Sequence, residues 1–358
     1  MLALRFASCR LFFVACFLSA LTACTGSSLD TVPGPTQTPA AQTALYAYSP
    51  DGPGALLAYP ASARGRTPPT SILAGPKTTF VGGKANLFGG GISIAADGTT
   101  YVFDAMRARV LTFAAGSRGD VAPSHVERLP PNDNVRLKAP QYAGFALDGL
   151  GNFWTVDRSN GNIDRFRIGG DGDVMPGLTF KPSVLAWTKF VPGVASTVAS
   201  DEAGNIYCIC QPDDLILQLY CITQYDVTHG DPKLVRSFYG ILGNLDTQIP
   251  STVLHVDPHT KKVYVGIWTP AAVVEYPSDA PSGPAPRPNV IGGTLTTLDS
   301  VPAAITTDAR GRVFVAQRSA VAVFSAGASG NVRPARVLSD PQHLRFLGQA
   351  YGDLLQIR

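Results

Sequence analysis

Apolar residues in this chain come in short runs set off by glycine, aspartate, asparagine and proline, and one such stretch repeats. From Phe145 to Phe180 the order is FALDGLGNFWTVDRSNGNIDRFRIGGDGDVMPGLTF. FALD closes in the turn Asp148-Gly149-Leu150-Gly151, and Asn152 to Val156 makes a second run. Asp157 to Gly161 is a loop, Asn162 to Ile168 a third run, and a Gly/Asp/Pro break leads to a fourth near Leu178 to Phe180. Runs of this length, rich in apolar, β-branched or aromatic residues and bounded by turn formers, predict four short strands.

The unit recurs. An aromatic in the second run returns as Tyr101, Trp154, Tyr207, Tyr264 and Phe314, at intervals of 53, 53, 57 and 50 residues. Tyr46 precedes Tyr101 by 55. The turn returns at Asp97-Gly98, Asp201 to Gly204 and Asp308 to Gly311. A breaker before the fourth run returns in GDVAP, GDVMP, GDP, GPAPRP and GNVRP, ending at Pro123, Pro176, Pro232, Pro288 and Pro334. A period near fifty with four strands per unit predicts an all-β fold, a β-propeller whose blades stack around an axis.

The ends of the chain complete the count. Ala44 to Gly75 carries three runs (LYAY, ALLAY, SILAG) and lacks an innermost one. Arg345 to Arg358 supplies FLGQAY as an innermost strand and continues into DLLQI. Joined, they make one blade that closes the ring, and five internal copies bring the total to six. Tyr46 and Leu355 both fit the second-strand position of that blade, so one of the two segments is displaced or forms an extra edge.

Composition narrows the class. Thirty-six glycines, 29 prolines and a charged fraction of 15% suit a turn-rich all-β domain, and no amphipathic helical pattern of any length occurs. Arg5 and Arg10 bracket a basic start, and Leu11 to Ala23 is an apolar run too short to span a bilayer. It ends in Leu21-Thr22-Ala23-Cys24, which resembles the bacterial lipoprotein lipobox. The resemblance implies cleavage before Cys24 and acylation of it, and hence a membrane anchor without a spanning helix. Thr25 follows where an inner-membrane retention signal would have Asp, so an outer-membrane address in a bacterial envelope is expected. Residues 25 to 43, rich in Ser, Thr, Pro and Gly, read as a tether. The expected parts are therefore a signal peptide (1–23), lipidated Cys24 with its tether (24–44) and the propeller (45–358). Net charge falls from +3 to +1 once Arg5 and Arg10 leave, which argues against a nucleic-acid partner. A monomer is expected.

The propeller part resembles the NHL-repeat proteins, and more closely secreted bacterial propellers with D-x-x-G-N-[IL]-Y-V units and a G-N-V-x-P break. Asp148/Gly151/Asn152/Trp154, Asp201/Gly204/Asn205/Ile206/Tyr207, Asp308/Gly311/Val313/Phe314 and Gly330-Asn331-Val332-Arg333-Pro334 carry the likeness. The fourth internal copy departs from it, with Asp257-Pro258-His259-Thr260-Lys261 in place of the glycine turn. The resemblance implies a fold and leaves function open, since propellers serve as binding modules and as enzymes.

The repeated turn aspartates read as backbone hydrogen-bond acceptors, not metal ligands. His255 aligns with Ala146, Ala199 and Thr306 and reads as an inter-blade histidine. Lactonase-type propellers, the enzyme alternative, hold a divalent cation with Glu, Asn and Asp from inner strands. Glu127, Glu202 and Glu275 are the only glutamates, and none falls on an innermost strand. No G-x-S-x-G elbow occurs. No metal or cofactor is expected, and binding of an unknown small molecule, glycan or protein is the leading function. Loops between second and third strands and those entering the inner strands gather on one face. They offer Arg107, Arg109, Asp157, Arg158, Trp268, Arg318 and Tyr142 as candidate ligand contacts.

Beyond the signal and Cys24 remain Cys208, Cys210 and Cys221. Pairing Tyr207 with Tyr225 in an enlarged hairpin sets Cys210 nearly opposite Cys221, which predicts a Cys210–Cys221 disulfide in an oxidising compartment. Cys208 and Cys210, two apart on one strand, look poorly placed to bond each other. The bridge would brace a projecting loop, Gln211 to Gln218, as a partner contact.

Overall fold

Each apolar run becomes one strand of an antiparallel meander in the computed structural model. It describes residues 43–49, 54–80, 90–132, 141–186, 189–212, 221–239, 250–267, 270–285, 288–346 and 354–358. The signal segment, Cys24 and the tether lie outside these residues, as do Trp268 and most of the loop 211–218. Six sheets form a six-bladed β-propeller. Numbering from the closing blade, blade 2 holds Gly90–Ile94, Thr100–Asp104, Arg109–Phe113 and His125–Arg128. Blade 3 holds Tyr142–Leu147, Asn152–Asp157, Ile163–Arg167 and Leu178–Phe180. Blade 4 holds Lys189–Ser200, Asn205–Pro212, Cys221–Asp226 and Lys233–Tyr239. Blade 5 holds Pro250–Val256, Val263–Ile267, Ala272–Tyr276 and Asn289–Gly292. Blade 6 holds Ala304–Thr307, Val313–Gln317, Ala320–Phe324 and Arg336–Ser339.

The recurring aromatic explains how blades stack. Alternate residues of a strand face opposite sides of its sheet, and in each second strand the aromatic faces the next blade. Trp154 packs among Val198, Ile206 and Cys208 of blade 4. Tyr207 packs with Leu254 and Val265 of blade 5, and Tyr264 with Ile305 and Val315 of blade 6. The core is therefore a series of apolar layers between blades. Burying one such ring completely is worth roughly 1.5–3 kcal/mol.

The aspartate turns bond as read. Asp148 Oδ1 accepts from the amides of Leu150 (2.7 Å) and Asn152 (3.1 Å), and Oδ2 accepts from Asn152 Nδ2 and Trp154 Nε1. Asp201 and Asp308 repeat the scheme two and four residues on.

The breakers do more than interrupt. At five of the six blade boundaries, a glycine with positive φ crosses to the outer strand of the preceding blade and pairs with it in parallel. Gly119 meets Leu73, Gly330 meets Ile291 and Gly65 meets Leu338. Gly172 pairs with Glu127, and Gly283 with Phe238. The φ values, 72° at Gly119 and Gly330 and 99° at Gly283, lie where a side chain is strained, so glycine is required. Between blades 3 and 4 the link is a side chain, Arg165 Nη1 donating to Gly230 O at 2.9 Å.

Two expectations are corrected. Blade 1 consists of Leu355–Ile357, Ala44–Ser49, Ala55–Pro60 and Ser71–Leu73, in that order from the axis. The innermost described strand is thus Leu355–Ile357 of the DLLQI run, and residues 347–351 of FLGQAY lie outside the described residues. Tyr46 holds the aromatic slot and pairs with Gln356, while Leu355 pairs with Ala47. Phe346 makes only a single bridge, to Arg318 of blade 6. The disulfide also differs. Cys210 lies directly opposite Cys221, as the register required, but the bond joins Cys208 to Cys210. Side chains two apart share a face, and here their Cα atoms are 5.8 Å apart, within disulfide range.

Candidate functional site: the axial cavity

The inner strands of all six blades end around one cavity that is partly open to solvent. One position per blade defines its wall. The inner-strand partners of the six recurring aromatics are Gln356, Ser93, Ala146, Ala199, His255 and Thr306. All but Ala199 line the cavity. Blades 5, 6, 1 and 2 contribute the four polar residues in sequence around the ring, and blades 3 and 4 contribute the alanines. The wall therefore has a hydrogen-bonding arc facing Ala146 of blade 3, while blade 4 lines it with Ser200 and Glu202.

Neighbouring residues set its charge. His255 Nε2 lies 2.9 Å from Thr307 Oγ1 across the blade 5–6 boundary, the inter-blade place its alignment indicated. Burial pushes the imidazole down to about 4, so it is neutral at pH 7. Glu202, in the Asp201 turn, meets Arg358 Nη2 at 2.5 Å. Arg358 follows the inner strand of blade 1, so this ion pair crosses the mouth between opposite blades. Its Nε donates to Ile94 O at 2.7 Å, and Gln356 Oε1 accepts from the Ile94 amide.

The low value for His255 has a measurable consequence. The unfolded chain takes up this proton near pH 6.5, the folded chain only near 4. Folding therefore carries no penalty from His255 above 6.5 and a growing one as the pH falls toward 4, on the order of 3 kcal/mol at the end of that window. Asp164, pushed up to about 6 by burial, acts in the opposite sense. The His255→Gln variant isolates the histidine. Urea unfolding at pH 7.5 and 4.5 should show a smaller acid loss in the variant than in the parent. Equal losses would refute the buried neutral imidazole.

The loop residues singled out in the sequence sit at the other end of the strands, since Tyr142 pairs with Asp157 and the cavity end pairs Leu147 with Phe153. Most are engaged in holding the fold. Arg107 and Arg109 converge on Asp104, at 3.9 and 3.0 Å, and Arg109 also donates to Thr79 O. Asp157 accepts from Ser159, Asn160 and Asn132, and the Arg158 amide donates to Gln141 O. Tyr142 is buried with its hydroxyl on Pro130 O at 2.9 Å. Arg318 is exposed beside Asp299 at 3.7 Å. The sequence reading missed the ring of Ser93, Thr306 and Gln356. Its signal was a polar residue one strand inward from the aromatics of blades 1, 2, 5 and 6. Glu127 is buried on an outer strand and Glu275 pairs with Lys262 at 2.7 Å. Among the described residues, no three His, Cys, Asp or Glu side chains are grouped so as to hold a metal ion.

Comparison with known structures supports the architecture. The chain is similar to a chain of the nidogen/laminin complex (TM-score 0.51, 12% identity, 88% of this chain and 98% of that one). It is equally similar to a candidate 6-phosphogluconolactonase from Bacteroides fragilis (0.51, 13%, 89% and 98%). A protein of the same description from Bacteroides uniformis matches at 0.50 and 10% identity over 88% and 85%. At such identities the likeness is one of fold. No protein-family model matches the chain, and no curated protein does.

Proposed function

We propose that this propeller is a binding module that takes a small hydroxyl-bearing molecule into the axial cavity. The observation that carries the reading is the polar arc of Gln356, Ser93, His255 and Thr306 around a cavity that Ala146 lines on the far side. The hydroxyls of Ser93 and Thr306 suit an uncharged polar edge, and Ala146 leaves room for an apolar face such as that of a sugar ring. Binding is favoured over catalysis because the cavity's acid is committed to Arg358 and its imidazole to Thr307. Titration calorimetry of the full chain against monosaccharides, disaccharides, sugar acids and aldonolactones tests it. A ligand is expected that Thr306→Val and Ser93→Ala each weaken about tenfold, with melting temperatures unchanged. Loss of binding in Arg318→Ala instead would place the site at the opposite end. Turnover of a lactone would favour the hydrolase class.

The lipobox resemblance supports a second element of the proposal, that Cys24 anchors this monomeric module in the bacterial envelope, with an outer-membrane address. Metabolic labelling with a palmitate analogue should tag the wild type and not Cys24→Ser, and the variant should be released in soluble form. Unchanged membrane association of the variant would defeat the anchor.

A further inference from the structure

Charge is distributed unevenly over the end of the propeller where the axial cavity lies. Blades 6 and 1 present three segments there: the turn 308–312 and the stretches 325–336 and 61–70 that follow their third strands. These hold Arg310, Arg312, Arg333, Arg336, Arg64 and Arg66, with Asp308 as their single acid. The breakers of blades 3, 4 and 5 expose acids at this end instead, namely Asp171, Asp173, Asp231 and Asp279. The arginine segments touch one another. Gly65 N donates to Val337 O and Gly65 O accepts from Ser339 N, both at 2.7 Å, and Arg336 Nη2 donates to Ala61 O. Arg312 and Arg336 both lie over the Phe314 ring, 5.6 and 5.5 Å from its centroid, and Arg312 is paired with Asp308. Arg64, Arg66, Arg310 and Arg333 are exposed, and among the described residues no carboxylate pairs with them. The chain also enters the propeller at this place. Thr43 O accepts from Ala61 N at 3.0 Å, three residues before Arg64, and the Ala44 amide donates to Arg358 O.

We propose that this arginine sector docks on an anionic phospholipid bilayer, the surface to which the anchor at Cys24 would hold the chain. Thr43 lies 19 residues after Cys24, so the segment carrying the anchor joins the propeller beside the arginines. Guanidinium groups match phosphate oxygens in charge and in forked geometry. Each basic residue close to an anionic leaflet strengthens binding about fivefold. The acids of blades 3, 4 and 5 are repelled by the same surface, so the propeller leans on blades 6 and 1 and the cavity mouth stays clear on the far side. The choice of surface rests on the anchor reading, whereas the attraction itself does not.

The full chain carrying Cys24→Ser, which cannot be acylated, tests this by sedimentation with vesicles. One set is phosphatidylcholine alone and the other contains about one-third phosphatidylglycerol. At about 0.1 M salt the chain should favour the anionic vesicles, and at about 0.5 M the preference should vanish. Adding Arg64→Gln, Arg66→Gln and Arg333→Gln together should weaken binding to the anionic vesicles about a hundredfold, with an unchanged melting temperature. Arg167→Gln, an exposed arginine at the same end of blade 3, should change it less than twofold. No preference for the anionic vesicles, an equal preference in the triple variant, or capture by soluble heparin without vesicle binding overturns the proposal. The salt dependence of the parent stands even if the triple variant fails to fold. Failed palmitate labelling would remove the anchor and leave this measurement intact, and the converse also holds.

Discussion

A chain lacking Leu354–Arg358 is expected to lose its single sharp unfolding transition. These five residues supply the innermost described strand of blade 1. Their backbone holds Ala44–Ser49 through Tyr48 N to Leu354 O (2.9 Å), Arg358 N to Ala44 O (3.1 Å) and a reciprocal bond from the Ala44 amide. Leu354 and Leu355 are buried in the layer that joins blades 6, 1 and 2. Removing a buried leucine side chain costs about 2–5 kcal/mol, so two together approach the whole stability of a typical domain, about 5–15 kcal/mol. The deletion also strips Arg358 from Glu202 and Ile94, and it opens the ring at the blade where the two chain ends meet. Calorimetry should show a broadened, multi-step or absent transition. A truncated protein melting once, near the wild-type temperature, would show that the ring closes without this strand.

Gly144→Ala is expected to be strongly damaging, at about 3 kcal/mol or more. Gly144 sits at the register shift of the inner strand of blade 3, with φ 71°. A side chain in that left-handed conformation costs about 1–2 kcal/mol on its own. Its Cβ would also stand 2.6 Å from Val198 N and 3.0 Å from Val198 O, backbone atoms of blade 4 that cannot step aside. Gly151 has a similar φ, 86°, with nothing near the position of a Cβ. Gly151→Ala should therefore cost only the conformational part. Urea denaturation of the pair separates the two contributions, and equal losses would mean that the approach of blade 4 to Gly144 is not tight.

What the chain showed of this fold follows from locality. The turn at Asp148 is built from amides two and four residues away, and the aromatic slot is set by alternation within one strand, so both repeat visibly. Blade number follows from them. The closing strand was misread because FLGQAY and DLLQI are both short apolar runs, and only pairing with Leu45–Ala47 distinguishes them. The disulfide was misread for a related reason. Register placed Cys210 against Cys221 correctly, but the choice between an along-strand and a cross-strand partner depends on side-chain placement that numbering does not contain. The candidate site lay furthest from view. Arg107, Arg109 and Asp157 look like free functional groups in a loop, yet they are spent on Asp104, Thr79, Asn132 and the local turn. Ser93, His255 and Thr306 come together only when six strands separated by about fifty residues each meet at an axis.

The glycine crossings at the rim bear on how the molecule behaves in a crowd. An outer strand with bare amides and carbonyls invites a strand from another chain to add to it. Gly119, Gly172, Gly283, Gly330 and Gly65 each cover part of such an edge on the blade behind, so those edges offer little to an incoming strand. Among the described residues, the outer strand of blade 3, Leu178–Phe180, shows no such backbone crossing, and Arg165 reaches Gly230 in its place. If molecules of this protein ever pair edge to edge, at high concentration or on the way to aggregates, the seam should run through Leu178–Phe180.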